Sequence, residues 1–379
     1  MPTPSSEAAG APAAGPPRVA IAHEWLVRHA GSERVVEELL ETFQVERILT
    51  TVVERDALPP SLRSAEPSWL QRLPAATEHH EWLLPLMPLA WRLREPIVGV
   101  DAVLSSSHAC AKAVRVGVGV PHVCYCHTPM RYAWDFESEA ARFPAALRGP
   151  ARVAMGLFRR WDRKQGGRVD RFVANSTAVA DRVRRAYGRD ADVVFPPIRT
   201  DFFTPGPSAS RSRFLYVGRL VAYKRPDLVV EAFRGLSEEL VVVGDGQLRR
   251  ALMAAAPPNV TFIAGVDDDR LRQLYRESVA LVYPAEEDFG IVMAEAQACG
   301  TPVIGLRRGG AVDIVDEGDT GWLIDEQDVR ELRRAIALAA ATSLDAASIA
   351  RRAQRFAAER FREEMRRIVV ETIESPLPR

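Results

Sequence analysis

The sequence predicts an α/β protein built from two doubly wound domains that face each other across a cleft. Short apolar strands alternate with helical segments, the strands end in small or polar residues, and one Pro-, Gly- and Ser-rich stretch divides the alternation into two series. Strands with such ends are typical of open parallel sheets, which bind ligands beyond their carboxyl edges. The length of 379 residues also exceeds that of one common domain.

The first series gives a domain predicted to span residues 18–195. Its first strand, RVAIAHEWL, is followed by the helix GSERVVEELLETF, in which Val36, Leu39 and Phe43 recur at helical spacing. The further strands predicted here are VERILTTVV, VDAVLSSS, PHVCYCH and RFVANS. Residues 1–17 are rich in Pro, Ala, Gly and Ser, and we predict a disordered tail there.

The second series gives a domain predicted to span residues 213–360. The segment FPPIRTDFFTPGPSASRSR breaks the alternation, and residues 196–212 are predicted to link the two domains. The strands predicted after the link are RFLYVGRL, ELVVVGDG, NVTFIAGV, VALVYPA, PVIGL and GWLID. Residues 361–379 end an amphipathic helical tail, which we expect to pack back on the first domain.

Composition excludes several classes of protein. Lys and Arg number 50, as do Asp and Glu, so no basic field argues for a nucleic-acid partner. No run reaches the ~18 apolar residues of a membrane span, and the N-terminal stretch lacks the regions of a signal peptide. The four cysteines lie in apolar company without the spacing of a zinc site, which indicates reduced thiols in a cytoplasmic protein.

One motif, EEDFGIVMAEAQACG, carries the clearest chemical signal. Glu287 lies in the loop that leaves the strand ALVYPA, and Glu295 lies one to two turns into the next helix. The first amides of that helix favour an anion, and a carboxylate on it can accept hydrogen bonds from the two adjacent hydroxyls of a ribose. From the spacing alone, an acidic cluster that merely complements the helix dipole remains the alternative.

The wider sequence around this motif resembles a known family. EEDFGIVMAEAQACGTPVIGLRRGG is similar to the paired-glutamate signature of the retaining glycosyltransferases of family 4, also called group 1. YVGRLVAYKRPDLVVEAF, VVVGDGQL and GDTGWLI resemble other segments of that family in the same order. SSSHACAKAVRVGVGVPHVCYCHTPMRYAWD resembles a subgroup that includes mannosyltransferases of bacterial surface polysaccharide assembly. The likeness runs from Arg18 nearly to the C-terminus.

The resemblance implies a GT-B fold, in which two Rossmann-like domains enclose a nucleotide-sugar cleft. It implies transfer of a hexose from a nucleotide diphosphate sugar, with GDP-mannose as the first candidate, to a hydroxyl with retained anomeric configuration. The acceptor is expected to be a glycan, a lipid-linked molecule or a small molecule. No cofactor and no metal ion are expected, since Asp267, Asp268 and Asp269 are better explained as a helix N-cap.

The family's functional positions map onto this chain residue by residue. Glu287 is expected near the donor sugar and Glu295 at the ribose. Arg219 and Lys224 are expected at the diphosphate, where negative charge grows as the glycosidic bond breaks. His127 is expected to contact the donor sugar and to complete a catalytic set with Glu287, Arg219 and Lys224. The other expected donor-binding positions are Gly31, Gly244, Gly246, Asp288, Phe289, Gly290 and Ile291.

The acceptor side is marked by subgroup residues and by one apolar segment. Arg131, Tyr132, Trp134 and Asp135 are expected to line the acceptor. The segment HHEWLLPLMPLAWRLREP is interpreted as a buried or cleft-lining helix, with peripheral contact at the inner face of the plasma membrane as the alternative.

Other functions fit the sequence less well. A nucleotide-sugar epimerase or hydrolase of the same fold would use the same donor cleft without an acceptor. A non-catalytic nucleotide-binding protein would not need Arg219, Lys224, Glu287 and Glu295 together. A dinucleotide oxidoreductase is disfavoured because no G-x-G-x-x-G opens a helix after the first strand of either domain.

Overall fold

The computed structural model describes residues 15–135, 148–206 and 211–374. The tail predicted over residues 1–17 lies largely outside the described residues, as does part of the predicted link, 207–210. The side chain of Tyr132, expected on the acceptor side, is also outside them.

The first sheet has six parallel strands in the order β2-β1-β3-β4-β5-β6. Strand order reverses between β1 and β3, and such a reversal opens a crevice at the carboxyl edge of the sheet. The strands are β1 (Arg18–His23), β2 (Gln44–Leu49), β3 (Ala102–Ser107), β4 (His122–Cys126), β5 (Arg171–Ala174) and β6 (Ala191–Val193).

Helices cover both faces of the first sheet, as a parallel sheet requires. Its helices are α1 (Gly31–Thr42), α2 (Met87–Arg92), α3 (Arg131–Trp134), α4 (Arg148–Gly166) and α5 (Thr177–Tyr187). Alternate residues of β1 point to opposite faces of the sheet. Val19 and Ile21 pack in the core cluster on the α1 side, whereas Ala20 and Ala22 pack in the cluster on the side of α2 and α4.

The second sheet also has six parallel strands, in the order β12-β11-β10-β7-β8-β9. This is the doubly wound order of dinucleotide-binding domains, and its reversal lies between β7 and β10. The strands are β7 (Arg213–Val217), β8 (Glu239–Val243), β9 (Val260–Ile263), β10 (Ser278–Tyr283), β11 (Val303–Leu306) and β12 (Gly321–Ile324). The helices are α6 (Pro226–Ala232), α7 (Arg249–Ala255), α8 (Asp268–Glu277), α9 (Ile291–Ala298), α10 (Ala311–Ile314), α11 (Val329–Ala341), α12 (Ala346–Ala353) and α13 (Ala358–Glu374).

The last helix, α13, returns the chain to the first domain. Its apolar side chains, including Phe361 and Met365, are buried in the same core cluster as Val35 of α1. The chain therefore crosses between the domains twice, and the crossings touch where the Ile198 amide donates to the Phe356 carbonyl over 2.9 Å. These adjacent crossings form the covalent connection between the two domains.

Two features differ from the sequence-based picture. Strand β6 was not predicted, because three residues containing Asp192 give too short a run to separate from the following Pro-rich segment. The apolar segment that includes α2 is buried on one side only: Met87 and Trp91 are inaccessible, whereas Trp82 and Leu93 are 78% and 63% exposed. No helix of the described residues is long and apolar enough to cross a membrane.

Candidate active site

The carboxyl edges of the two sheets meet, and the strand-order reversals of both domains open onto one cleft. Charged and polar side chains bridge it: Arg131 lies 2.7 Å from Asp288, and Arg34 lies 3.4 Å from Glu295. The Ser176 hydroxyl, which also caps α5, donates to the Asp288 carbonyl. The cleft is thus enclosed by both domains in this conformation.

The central group of the second domain is an ion pair. The Lys224 ammonium lies 2.6 Å from Glu287 Oε1 and donates to the Tyr283 hydroxyl, which donates to the same carboxylate oxygen over 2.8 Å. Burial, together with the Glu287 charge, raises the pKa of Tyr283 well above its usual value. Lys224 follows the loop after β7, and Glu287 follows β10, so the strand reversal brings together two residues 63 positions apart.

Arg219 occupies the same edge but is not part of this ion pair. Its guanidinium donates to the Tyr223 hydroxyl over 3.1 Å and lines a cavity of about 360 Å³ together with His127 and Glu287. A planar, exposed guanidinium at this place can bind a diphosphate with two parallel hydrogen bonds.

Gly244 and Gly246 hold the loop that carries Arg219. Their φ angles are 146° and 151°, and an added Cβ would lie 2.0 Å from the Gly218 carbonyl oxygen and 2.6 Å from that of Leu220. Only glycine allows the loops after β7 and β8 to approach so closely. The structure therefore gives both glycines a packing role beside the expected role at the base or ribose.

Glu295 lies on α9, nearly buried. Its carboxylate accepts a hydrogen bond from the Tyr275 hydroxyl over 3.2 Å and faces Arg34 from the first domain. Burial raises the pKa of Glu295 to about 7, although Arg34 and Tyr275 oppose the increase. An arginine of the opposite domain therefore faces the carboxylate expected to hold ribose.

Two helix N-termini converge on the same gap. Helix α1 begins at Gly31 and α9 begins at Ile291, and a Cβ on Gly31 would lie 2.5 Å from Ile291 Cδ1. Gly290, at φ 105°, turns the chain into α9. The free amides and the positive dipole ends of both helices favour an anion between them. A cavity of about 250 Å³ at this point is lined by Gly31, Lys224, Glu287, Phe289, Gly290, Ile291 and His127.

His127 faces this region from the end of β4. Its Nε2 lies 2.8 Å from the Ser106 hydroxyl, which lies 3.1 Å from His23 Nδ1. Burial and the neighbouring His108 and His23 lower the pKa of His127 well below its usual value. The imidazole is therefore neutral at pH 7, and it can position a sugar hydroxyl but is a weak proton acceptor.

Glu24, which was not predicted from the sequence, organises the first-domain side of the cleft. Its fully buried carboxylate accepts hydrogen bonds from the amides of Ala109, Cys110 and Ala111 over 2.7–2.8 Å. These bonds fix the loop after β3, which presents His108 to the cavity. The available signal was an acidic residue directly after a buried strand, because such a carboxylate must be paired.

A second missed residue is Arg182 of α5, which contacts the Asp288 carboxylate and lies 3.0 Å from Glu286. Arg131, expected on the acceptor side, binds the same Asp288 carboxylate. Asp288, expected among the donor-binding residues, therefore places its side chain on two first-domain arginines. This pairing joins the two domains beside the donor cavity.

The remaining acceptor-side residues border a neighbouring cavity of about 630 Å³, lined by Trp134 and Asp135 together with Thr128, Arg131, Arg182 and Tyr223. The Trp134 indole donates to Asp162 over 2.7 Å, and Asp162 forms a buried ion pair of 2.6 Å with Lys112. Trp134 thus also anchors α3 to α4.

Another cavity, of about 760 Å³, lies at the amino edge of the second sheet. Its arginines bind backbone carbonyls, Arg211 that of Gly300 and Arg276 that of Thr204. Because ligands of doubly wound sheets bind at the carboxyl edge, the cleft rather than this cavity is the candidate site.

Two Rossmann-like domains with facing carboxyl edges and a glycine-lined cleft bridged by ion pairs define the GT-B class of proteins. The model for glycosyltransferase family 4 matches residues 29–202, and the model for glycosyl transferases group 1 matches residues 198–356. Together they cover both domains, and the chain belongs to this family of glycosyltransferases.

Curated relatives match part of the chain. A D-inositol 3-phosphate glycosyltransferase of Acidothermus cellulolyticus is 34% identical over 193 residues, which cover 42% of this chain and 43% of the relative. One of Rhodococcus opacus is 35% identical over 187 residues, 41% of this chain and 42% of the relative. The match spans less than half the length of these relatives.

Solved structures share the whole fold. Anabaena HepE in complex with UDP and glucose has a TM-score of 0.67 at 17% identity, covering 95% of this chain and 100% of HepE. Sucrose-phosphate synthase from Thermosynechococcus elongatus has a TM-score of 0.67 at 19% identity, and the match covers 95% of this chain and 100% of the synthase chain. At this identity, the likeness establishes the fold alone.

The raised pKa of Glu295 predicts a pH-dependent stability. Between its ordinary value of 4.5 and its native value of about 7, only the folded protein keeps the proton, so the contribution of Glu295 to the free energy of unfolding falls as pH rises. The decrease is about 3 kcal/mol over this range. Glu295→Gln removes it, and urea unfolding should show the variant gaining that amount relative to the unsubstituted protein between pH 5 and pH 8.

Glu363→Gln serves as the control, because that carboxylate is 71% exposed on α13. Its stability relative to the unsubstituted protein should not change with pH. If the free energy of unfolding of Glu295→Gln differed from that of the unsubstituted protein by the same amount at every pH in this range, Glu295 would not be desolvated in the folded protein.

Proposed function

We propose that this protein transfers a hexose from a nucleotide diphosphate sugar to an acceptor hydroxyl, with retention of the anomeric configuration. The observation that carries the proposal is the Lys224–Glu287 ion pair, 2.6 Å apart, at the strand reversal of the second domain. It shares its cavity with His127 of the first domain. A diphosphate, a sugar and an acceptor therefore find complementary groups from both domains in one cleft.

The donor is oriented by charge. Its diphosphate lies between the N-termini of α1 and α9 and meets Arg219 and Lys224. Glu295 accepts hydrogen bonds from the ribose hydroxyls in place of its contact with Arg34. When Lys224 turns to the phosphate, Glu287 becomes available to accept a hydrogen bond from the donor sugar.

The reaction breaks the bond between the anomeric carbon and the leaving phosphate oxygen and forms one to the acceptor oxygen on the same face of the sugar. Arg219 and Lys224 stabilise the negative charge that develops on the leaving diphosphate. The acceptor proton passes to the departing phosphate oxygen, so no strong protein base is needed. This agrees with a neutral His127, which positions the sugar.

The donor proposed first is GDP-mannose, on the resemblance of the first domain to bacterial mannosyltransferases. HepE, crystallised with UDP-glucose, makes that sugar nucleotide the second candidate. The relatives' names make sugar phosphates one acceptor class beside glycans and lipid-linked molecules. A cavity of about 360 Å³ adjoining the donor cavity favours transfer over epimerisation or hydrolysis, which need no acceptor site.

A thermal-shift panel of GDP, UDP, ADP and TDP identifies the base, because ligand at 100 times Kd contributes about 2.7 kcal/mol of stability.

With the nucleotide that gives the largest thermal shift, Glu295→Ala should weaken binding, since the ribose contact is present before and during the reaction. His127→Ala should leave nucleotide affinity nearly unchanged and lower transfer by at least about 10²-fold.

Calorimetry with the nucleotide and a transfer assay separate these effects. His79→Ala is the matched control, because His79 is exposed and lines neither of the two cavities that contain His127. Full transfer by His127→Ala would remove His127 from the catalytic set. Unfolding of that variant would be resolved by His127→Asn, which retains a polar side chain of similar reach.

We also propose that transfer needs no metal ion, because two cationic side chains and two helix N-termini supply the positive charge at the diphosphate. Activity should persist in excess EDTA and should not rise on addition of magnesium or manganese. Loss of transfer on chelation, with recovery on adding either ion, would contradict this.

A further inference from the structure

We propose that one face of the first domain, formed by the segment 80–93 and helix α4, docks on an anionic lipid bilayer and brings a lipid-linked acceptor to the cleft. The acceptor part rests on the proposed function, whereas the docking itself does not. We call this surface the α2–α4 face.

The first half of the α2–α4 face is the 3-10 helix His80–Leu86 followed by α2. Met87 and Trp91 anchor it in the core, and the opposite side carries exposed apolar side chains. These are Trp82 (78% exposed), Leu86 (39%), Leu89 (44%) and Leu93 (63%). A helical segment with an anchored inner side and a Trp- and Leu-rich outer side has the pattern of an interfacial element.

The second half is α4, whose outward stripe combines apolar and basic residues. Val153 and Leu157 are 67% and 61% exposed, and Arg160 and Lys164 continue the same stripe at helical spacing. The helix contains six basic residues and one acidic residue, and that residue, Asp162, is buried against Lys112. The surface charge of α4 is therefore of one sign.

The two halves belong to one side of the domain. Both contact the turn Ala111–Ala113 and pack against the same core cluster, α2 through Met87 and α4 through Phe158 and Trp161. A cavity of about 690 Å³ on α4 is lined by apolar residues that include Leu157 and by arginines that include Arg160. Apolar side chains beside guanidinium groups suit the upper acyl chain and the phosphate of an anionic lipid.

The α2–α4 face is continuous with the cleft. Leu84, between the exposed Trp82 and Leu86, lines the cavity that contains His127 and Glu287. A molecule anchored in a bilayer at this face would have its polar end beside the donor cavity. The placement therefore favours a lipid-linked acceptor over a freely diffusing one.

A bilayer suits this surface better than a second copy of the chain. A symmetric dimer formed through the α2–α4 face would bring the basic stripe of α4 close to its own copy, and like charges at an interface oppose association. An anionic bilayer offers an apolar phase for the leucines and negative charge for the arginines.

Vesicle flotation tests the proposal. The protein should bind phosphatidylcholine vesicles that contain phosphatidylglycerol, bind pure phosphatidylcholine much less, and dissociate as salt increases. Two double variants test the two halves of the face separately. Each should lower the bound fraction at least about tenfold: one is Trp82→Ser/Leu93→Ser, and the other is Arg160→Glu/Lys164→Glu. The controls Leu338→Ser and Arg330→Glu, exposed on α11 of the second domain, should bind as the unsubstituted protein does.

Undiminished binding by either double variant, or equal binding to neutral vesicles, would overturn the proposal. Dimerisation in light scattering that Trp82→Ser/Leu93→Ser abolishes, without vesicle binding, would make the surface an interface between copies and would also overturn it. Each variant should retain the thermal shift with the selected nucleotide. Absence of that shift in the unsubstituted protein, with vesicle binding intact, would instead count against the proposed function.

Discussion

The ion pair of Lys224 and Glu287 imposes a constraint on the rest of the cleft. Two opposite charges held 2.6 Å apart and less than one-fifth exposed lose much of their hydration, and geometry must compensate for it. The strand reversal supplies this geometry by bringing the ends of β7 and β10 side by side, and Tyr283 satisfies both charges. In the proposed reaction, a diphosphate would offer Lys224 more negative charge than a single carboxylate does, and Lys224 would exchange Glu287 for it.

Further ion pairs connect the two domains across the cleft. Glu295 faces Arg34, and Asp288 lies between Arg131 and Arg182, so acidic residues of the second domain meet cations of the first. These contacts join the domains across the cleft, and the two chain crossings near Ile198 and Phe356 connect them covalently. In the proposed reaction, donor binding would replace interdomain ion pairs by contacts with the donor and would leave both cores intact.

Much of this was predictable from the sequence, and the remainder was not for identifiable physical reasons. Apolar runs with polar ends predicted every strand except β6, and the motif around Glu287 and Glu295 predicted the edge of the sheet to examine. The partners Arg34 and Arg182 were missed because a pairing between segments far apart in the sequence leaves no local pattern. Glu24 left only a weak signal, an acidic residue after a strand, and its binding to four amides becomes evident only when the loop after β3 is folded against it.

A crystal structure with the sugar nucleotide selected by the thermal-shift panel tests the central claim most directly. The account predicts diphosphate oxygens within about 3.5 Å of Lys224 Nζ and the Arg219 guanidinium, ribose on Glu295 and the sugar beside His127. A nucleotide bound away from the strand reversals, or a diphosphate out of reach of Lys224 while that residue stays paired with Glu287, would contradict it.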